Sequence, residues 1–333
     1  MVNLALFGAG RIGQIHAANV ALNANCNLRY VVDMNAEVAQ QTADKYGAKV
    51  ATLDTVFADE TVDAVLICSI TETHADLIER AAVAGKAIFC EKPVDLSIDR
   101  VNACLALVKE HQVPLMMAFN RRFDPNFAHL KNVLDSGEVG NIEMLTISSR
   151  DPSAPPASYI KSSGGLFRDM TIHDFDVARW LLGEEPISLY ASASALTEDY
   201  VKDCGDVDTA IITLTCKSGK MAVITNSRRA TYGYDQRVEV HASGGMLSIN
   251  NVPESTLSIA NQQGMSSQKP MAFFLERYAA AYRHELDAFI QGIVSGEVNY
   301  PSGDDGRKAL LMADAAVKSL QTGEVQSLNL TAE

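Results

Sequence analysis

The 333-residue sequence predicts an α/β protein with a doubly wound parallel sheet, followed by an α+β domain with a large open antiparallel sheet. Short, wholly apolar strands that alternate with helical patterns before about residue 120 predict the first domain. Longer segments with period-two alternation, such as 238–242, predict the second. We place the domains at 1–120 and 121–333, and the C-terminal helix is allowed to pack back on the first domain.

Strands and helices alternate throughout the first predicted domain. The apolar run at its start has no basic stretch before it, so it is typical of a first strand and not of a signal peptide. Gly47 and Gly85 follow helical patterns and stand where glycine commonly ends a helix. The predicted strands are 4–7, 28–32, 64–68, 87–90 and 115–119, with helices between them.

The second predicted domain begins with a helix near 125–136 and continues with longer strands. Turn sequences separate these strands, notably Lys217-Ser-Gly-Lys and Ser243-Gly-Gly. The predicted strands are 142–149, 188–196, 209–216, 221–227 and 237–242, followed by helices at 273–294 and 303–321.

Charge and composition exclude several classes of protein. The net charge of −13 argues against binding nucleic acid or anionic lipid, which requires clustered Lys and Arg. The six cysteines are scattered without a C-x-x-C pair, so we expect reduced thiols and no metal site. No apolar run approaches the length of a membrane-spanning helix. The expected location is the cytoplasm.

The sequence Gly8-Ala-Gly-Arg-Ile-Gly13 follows the first strand and opens a helix. In a dinucleotide site, the first glycine forms the tight turn, the second lets the backbone approach the pyrophosphate, and the third packs helix on strand. Asp33 ends the second strand, where a carboxylate accepts hydrogen bonds from ribose hydroxyls and repels a 2′-phosphate. The pattern favours NAD over NADP. The alternative is a glycine turn in a domain that binds no nucleotide.

Lys92, in Glu91-Lys-Pro93, lies just past the carboxyl end of a predicted strand. Ligands bind at that edge of open α/β sheets. Proline fixes its own φ and restricts the residue before it, so Lys92 is held in place. A lysine held there would stabilise negative charge on a reacting oxygen. On these residues alone, a surface lysine beside a proline remains the alternative.

The segment 164–183 predicts a helix that ends at Gly183. Asp169, His173 and Asp176 stand on one side of it, while apolar residues cover the other faces. A histidine flanked by carboxylates is suited to accept a proton near neutral pH. The alternative is a polar stripe that faces water.

These three elements, in this order, resemble the Gfo/Idh/MocA oxidoreductase family, and the similarity extends over nearly the whole chain. Within the family, the likeness is greatest to inositol dehydrogenases. It is carried by AFNRRFDPNF at 118–127, FRDMTIHDFD at 167–176 and ATYGYDQR at 230–237. Ile70 stands where many relatives carry proline, which affects only the expected shape of that loop.

The resemblance implies a Rossmann domain and a catalytic set of Lys92, Asp169 and His173. His173 would take the hydroxyl proton, Lys92 would stabilise charge on that oxygen, and Asp169 would orient both. The implied cofactor-binding residues are Gly8, Gly10, Arg11, Ile12, Gly13, Asp33, Ser69, Thr71, His74, Glu91, Lys92 and Asn120. The implied substrate-binding residues are Lys92, Arg122, Asp169, His173, Asp176 and Tyr232, with Arg121 and Tyr234 as alternatives one register step away.

The expected activity is NAD-dependent oxidation of a ring hydroxyl of myo-inositol to a ketone, with no metal required. One alternative keeps the mechanism and changes the substrate to another cyclic polyol or pyranose, such as scyllo-inositol or glucose. Another is a non-catalytic regulator that senses NAD or a sugar, which need not retain a proton relay. The open sheet face and the family both predict a homo-oligomer, a dimer or a tetramer.

Overall fold

The computed structural model describes residues 1–331, which form two compact units. The first comprises residues 1–123 and 280–310, and the second comprises 124–279 and the segment after 310. The boundary expected at 120/121 therefore lies at 123/124. The prediction allowed the C-terminal helix to pack back on the first domain, and here residues 280–310 belong to the first unit. Leu286, Phe289 and Ile290 pack in the same hydrophobic core as the first strand, which explains the return of the chain.

The first unit is built on a six-stranded parallel sheet in the order β3-β2-β1-β4-β5-β6, the order of a doubly wound dinucleotide-binding fold. Its strands are β1 (Val2–Phe7), β2 (Cys26–Val32), β3 (Lys49–Val50), β4 (Ala64–Ile67), β5 (Ala87–Cys90) and β6 (Leu115–Met117). Its helices are α1 (Arg11–Leu22), α2 (Ala36–Tyr46), α3 (Leu53–Ala58), α4 (His74–Val83) and α5 (Ile98–His111), with 3-10 turns at Thr71–Thr73 and Asn120–Phe123.

Local sequence explains where these elements begin and end. All residues of β4 and β5 are buried, as expected for strands covered on both faces. The Asn35 side chain accepts hydrogen bonds from two backbone amides at the start of α2. Gly47 ends the same helix with a φ of 70°, a conformation that glycine adopts without steric cost.

The second unit contains α6 to α10, β7 to β14, the end of α12 and β15. Its elements are α6 (Pro125–Ser136), β7 (Ile142–Arg150), α7 (Ala157–Ser163), a π-helical turn (Phe167–Thr171), α8 (Ile172–Leu182), β8 (Pro186–Ser194), α9 (Asp199–Asp203), β9 (Thr209–Cys216), β10 (Met221–Ser227), β11 (Asp235–Ala242), β12 (Gly245–Ile249), β13 (Ser258–Asn261), β14 (Gly264–Ser267) and α10 (Phe274–Arg277). Helix α11 (Ala279–Ser295) belongs almost wholly to the first unit, α12 (Gly303–Thr322) begins in the first unit and ends in the second, and β15 (Gln326–Ser327) belongs to the second.

The large sheet of the second unit has seven strands in the order β12-β11-β7-β10-β9-β8-β15. The predicted large, mainly antiparallel sheet is present, and it includes one parallel pair, β10 with β7. These two strands are far apart in the chain, so no hairpin turn fixes their relative direction. The other neighbouring strands of this sheet run antiparallel, and β13 and β14 form a separate hairpin.

One face of this sheet carries the core of the second unit. Its buried residues include Leu145, Leu189, Ile212 and Ile224 from the strands, and these pack with Phe175 of α8. Along each strand, residues of the opposite face alternate with these buried residues. In β9 most residues of that opposite face are exposed. Among residues 1–331, the structure has no helix with the length and apolar character needed to span a membrane.

Candidate functional site

The glycine turn between β1 and α1 has the geometry that its sequence predicts. A Cβ on Gly8 would lie 2.5 Å from the backbone nitrogen of Ser69, and one on Gly13 would lie 2.0 Å from the carbonyl oxygen of Gly8. Gly8 also has a φ of +89°, which favours glycine. At Gly10 nothing lies within 4 Å of the Cβ position. The first and third glycines are therefore required by packing, whereas the second leaves open space beside the start of α1.

Asp33 ties the end of β2 to this turn. Its Oδ2 accepts a hydrogen bond of 2.7 Å from the backbone N–H of Ala9, and its Oδ1 accepts one of 2.8 Å from that of Asn35. Each carboxylate oxygen has a second lone pair, so the group still has capacity to accept from ribose hydroxyls. The open space at Gly10, the start of α1 and this carboxylate together fit NAD.

The loop after β4 contains three of the predicted cofactor residues, and they differ in environment. Ser69 and Thr73 share a hydrogen bond of 2.6 Å between their hydroxyl oxygens. His74 is 1% exposed, with Nδ1 at 2.7 Å from the carbonyl oxygen of Pro93 and Nε2 at 3.0 Å from that of Ser69. Thr71 lies in the 3-10 turn and is partly exposed. His74 thus links two loops of the sheet edge from inside the protein.

The segment Glu91-Lys92-Pro93 follows β5, as predicted, and its Lys92–Pro93 peptide bond is cis. The backbone N–H of Glu91 donates to the carbonyl oxygen of Ile67 at 2.9 Å. The Glu91 carboxylate lies 2.8 Å from Nε2 of the buried His16. Lys92 is therefore flanked by two residues that are both anchored, Glu91 by His16 and Pro93 by His74.

In the second unit, Asp169 lies in the π-helical turn that precedes α8. Its Oδ1 accepts a hydrogen bond of 2.9 Å from the hydroxyl of Tyr159, and its Oδ2 lies 3.2 Å from Nη2 of Arg228. The Arg228 side chain is 2% exposed and that of Asp169 is 13% exposed. Tyr159 is 47% exposed as a whole, but partial burial of its phenol, and then the charge of Asp169, raise its pKa, so its hydroxyl remains a donor.

His173 lies in the first turn of α8, and its neighbours anchor that turn to the sheet. Asp174 is fully buried and accepts hydrogen bonds of 2.6 Å from Ser149 and 2.7 Å from Asn226. Thr171 donates to the side-chain oxygen of the same Asn226 at 2.7 Å. His173 itself is partly exposed. The backbone that carries His173 is thus fixed while its side chain remains accessible.

The three further predicted substrate residues have partners within the protein. Arg122 lies 2.9 Å from Asp305, Asp176 is buried 3.9 Å from Arg179, and the Tyr232 hydroxyl donates to Asp235 at 2.5 Å. Arg121 and Tyr234, the register alternatives, are buried, and so is Asn120. The exposed fractions favour Arg122 and Tyr232 over their alternatives, since Tyr232 is 46% exposed and the Arg122 side chain 14%.

Sequence reasoning missed several residues that organise the site. Asp235 is fully buried and binds Arg150, Tyr232, Arg237 and Asn251. Burial alone would raise the pKa of Asp235, but the hydrogen bonds from Arg237, Tyr232 and Asn251 bring it well below its usual value. Arg228 and Tyr159 were missed as well. Asp235 stands within the segment 230–237, whereas Arg228 and Tyr159 stand outside the quoted motifs. The roles of all three depend on strands and loops that meet only in the fold.

Comparisons with known proteins match both units to one family. Residues 2–119 match the model of the oxidoreductase family with an NAD-binding Rossmann fold, and residues 127–248 match the GFO/IDH/MocA C-terminal domain. The chain is 52% identical over 319 residues to an inositol 2-dehydrogenase of Rhizobium meliloti (strain 1021), covering 96% of this chain and 97% of that protein. It is 44% identical over 322 residues to a myo-inositol 2-dehydrogenase of Thermotoga maritima, covering 96% of each.

Solved structures give the same result. A myo-inositol dehydrogenase from Corynebacterium glutamicum ATCC 13032 has a TM-score of 0.95 at 42% identity, covering 99% of each chain. A scyllo-inositol dehydrogenase from Lactobacillus casei, solved with NAD(H) and scyllo-inositol, has a TM-score of 0.91 at 28% identity, covering 98% of this chain and 99% of that one. These matches confirm the predicted fold class and NAD as the cofactor. The chain belongs to the Gfo/Idh/MocA family of NAD-binding oxidoreductases.

Proposed function

We propose that this protein oxidises a ring hydroxyl of myo-inositol to a ketone, with NAD as the hydride acceptor. The observation that carries the proposal is full-length similarity, at 52% and 44% identity, to two enzymes named as inositol and myo-inositol 2-dehydrogenases. A scyllo-inositol 2-dehydrogenase (NAD(+)) of Bacillus subtilis is 36% identical over 325 residues. The greater identity to the first two enzymes favours the myo isomer.

We assign the chemistry to Lys92, Asp169 and His173. When bound, NAD accepts the hydride from the carbon that bears the hydroxyl. His173 removes the proton of that hydroxyl, since its side chain is accessible on a fixed backbone. Asp169, whose carboxylate pairs with Arg228, orients His173. Lys92 stabilises the negative charge that develops on the oxygen.

The roles of the substrate contacts follow from the hydrogen-bond capacity of each side chain. A polyol needs many paired hydrogen bonds, and an unpaired hydroxyl lowers affinity. Arg122 pairs with Asp305, and the Tyr232 hydroxyl donates to Asp235 and accepts from Arg150. A guanidinium carries five N–H donors and a phenol oxygen two lone pairs, so we propose that both side chains also bind substrate hydroxyls. Asp176 is buried beside Arg179. We propose that it contributes to substrate binding as part of the wall of the site.

The decisive experiment is a polyol screen with both cofactors. Purified protein is mixed with NAD or NADP and with myo-inositol, scyllo-inositol or glucose, and absorbance at 340 nm is followed. The expected result is NADH formation that is fastest with myo-inositol. Faster turnover of scyllo-inositol or glucose would change the substrate, and faster turnover with NADP would contradict the role of Asp33. No reduction with any polyol would favour a regulator that senses NAD or a sugar.

We also propose that the protein forms a homo-oligomer through the open face of its seven-stranded sheet. Tyr190, Ile211, Met221 and Met144 are exposed on that face, at 39%, 54%, 51% and 39%. Their strands are neighbours in the sheet, so these side chains form part of one surface. An apolar surface of this kind is typical of an interface between copies of a chain.

A further inference from the structure

A buried cluster of three ionisable side chains adjoins the segment that carries Lys92. His16 of α1 and Glu285 of α11 have fully buried side chains, and that of Glu91 is 14% exposed. Nε2 of His16 lies 2.8 Å from Oε1 of Glu91 and 4.0 Å from Oε1 of Glu285. The cluster joins two helices and the end of β5, and all of it lies within the first unit.

Glu285 has the environment of a carboxyl group that retains its proton. Both of its oxygens are buried without a hydrogen-bond partner among the described residues. An isolated buried carboxylate is very costly, so such a group stays neutral. Burial, and then the charge of Glu91, raise the pKa of Glu285 well above its usual value.

Among residues 1–331, ionisable groups from three elements face Glu285. They are His16 from α1, Glu91 from the end of β5 and Cys68 from the end of β4. Burial raises the pKa of the Cys68 thiol, so it stays neutral. Nδ1 of His16 is buried without a hydrogen-bond partner, which favours the tautomer with its hydrogen on Nε2, donated to Glu91. Glu91 is then the single carboxylate of the cluster.

We propose that Glu285 is a proton-bearing positioning residue: its neutral carboxyl group fills the space beside the His16–Glu91 pair without adding a second negative charge, so that His16 holds the Glu91 carboxylate and fixes the backbone that presents Lys92. Lys92 directly follows Glu91, and the next residue, Pro93, is held on the other side by His74. A second negative charge at Glu285 would repel Glu91 and shift this segment. The proposal rests on the proposed role of Lys92 in the reaction.

The proton on Glu285 is tested by the pH dependence of the melting temperature. Above a pH of about 5, Glu285 ionises in the unfolded chain but not in the folded protein, so its contribution to stability falls as pH rises. Glu285→Gln removes this effect, because glutamine does not titrate. The Tm of the variant minus that of the wild type should therefore rise between about pH 5 and about pH 8.

Leu286→Ala is the matched control, since Leu286 is the next residue of the same helix and is 1% exposed. It should lower Tm without changing its pH dependence. The infrared band of a protonated carboxyl group should be present in the wild type and absent in Glu285→Gln. A Tm difference that is flat with pH, or a Tm of the wild type that falls when EDTA is added, would overturn the proposal.

The positioning role is tested by kinetics with myo-inositol. Glu285→Ala should lower kcat/KM on the order of tenfold or more, because a small displacement of a catalytic group has large effects. The Kd of NAD, measured by fluorescence, should change little. Glu285→Gln, a neutral isostere, should restore most of kcat/KM. Equal losses in the Gln and Ala variants, or an Ala variant as active as Leu286→Ala, would contradict the role.

Failure of this inference and failure of the proposed function give different results. If the wild type reduces NAD with no polyol, the proposed function is wrong, and the Tm and infrared measurements still decide whether Glu285 carries a proton. If the wild type oxidises myo-inositol and the Tm difference is flat with pH, only the inference about Glu285 is wrong.

Discussion

Asp169 is held by two side chains that approach it from outside its own helical turn. Arg228 is almost fully buried, and its Nη2 lies 3.2 Å from the Asp169 carboxylate. Replacing Arg228 by Met removes the charged group at 3.2 Å from that carboxylate. We expect a loss of about 3 kcal/mol or more in the free energy of unfolding, as when one partner of a buried ion pair is removed. Urea unfolding measures this loss, and kcat should fall with it.

Tyr159→Phe is the matched control for Arg228→Met. It removes the hydrogen bond that the Tyr159 hydroxyl donates to the same carboxylate and leaves the ion pair in place. The expected loss of stability is about 1 to 2 kcal/mol, because the acceptor is charged but Tyr159 is 47% exposed. If both variants lost the same stability and activity, the ion pair would not be the dominant support of Asp169.

The partly exposed imidazole of His173 carries the proposed proton transfer. His173→Ala should lower kcat on the order of a hundredfold or more, the usual contribution of a positioned general base. The Kd of NAD should stay nearly unchanged, because the glycine turn and Asp33 are untouched. His129→Ala, an exposed histidine of α6 in the same unit, is the control and should leave kcat unchanged. Retained turnover in His173→Ala would mean that another residue accepts the proton.

Individual residues differ in how far the sequence reveals their role. The glycines and Asp33 belong to a compact motif, in which spacing alone encodes the geometry, and the structure places them accordingly. Arg228 stands just after β10 and stabilises a residue 59 positions earlier. His74 was expected to bind the cofactor, but its side chain is buried between two carbonyl oxygens. Partners distant in sequence depend on tertiary packing, which no local pattern records.

At the scale of elements, the glycines of the turn between β1 and α1 have two different roles. One is required by packing, and another leaves space for the ligand. Gly13→Ala places a Cβ 2.0 Å from the Gly8 carbonyl oxygen, so it should lower Tm strongly. At Gly10 the added Cβ meets nothing, and φ is −68°. Gly10→Ala should therefore keep the Tm of the apoprotein but weaken NAD binding, since the methyl group occupies the approach of the pyrophosphate. Thermal melts with and without NAD measure both effects, and unchanged NAD affinity in Gly10→Ala would contradict the assigned site.

Regular elements with strong caps were predicted closely, and irregular ones were not. Helices α2 and α5 match the helices that the sequence predicts at 36–46 and 98–111, because Asn35 and Ser97 cap their starts. The stretch before α8 was predicted as ordinary helix, whereas Phe167–Thr171 forms a π-helical turn. The predicted helix 273–294 is two helices, α10 and α11. Short elements such as β3, α7 and β15 have too few residues to show a periodicity.

At the scale of the molecule, the sequence predicts which face of a strand is buried better than it predicts how the strands pair. Alternation along β9 and β11 indicates a sheet with one covered face, and both strands show that burial pattern. The parallel pairing of β7 with β10 depends on how the intervening α8, β8 and β9 are placed. Strand direction within a mixed sheet is therefore decided by topology and cannot be obtained from the composition of each strand.

The open sheet face leads to a prediction about assembly. Ile211 is 54% exposed on that face, where Thr225 lies beside it on β10 and Ser192 on β8. A charge introduced there would have to lose its hydration in an interface between copies, which is costly without a partner. Sedimentation of the wild type at micromolar concentration should show a dimer or tetramer, and Ile211→Glu should dissociate it. Val83→Glu, a 63% exposed site on α4, should leave the assembly intact. A monomeric wild type, or equal behaviour of the two variants, would mean that this face does not join copies of the chain.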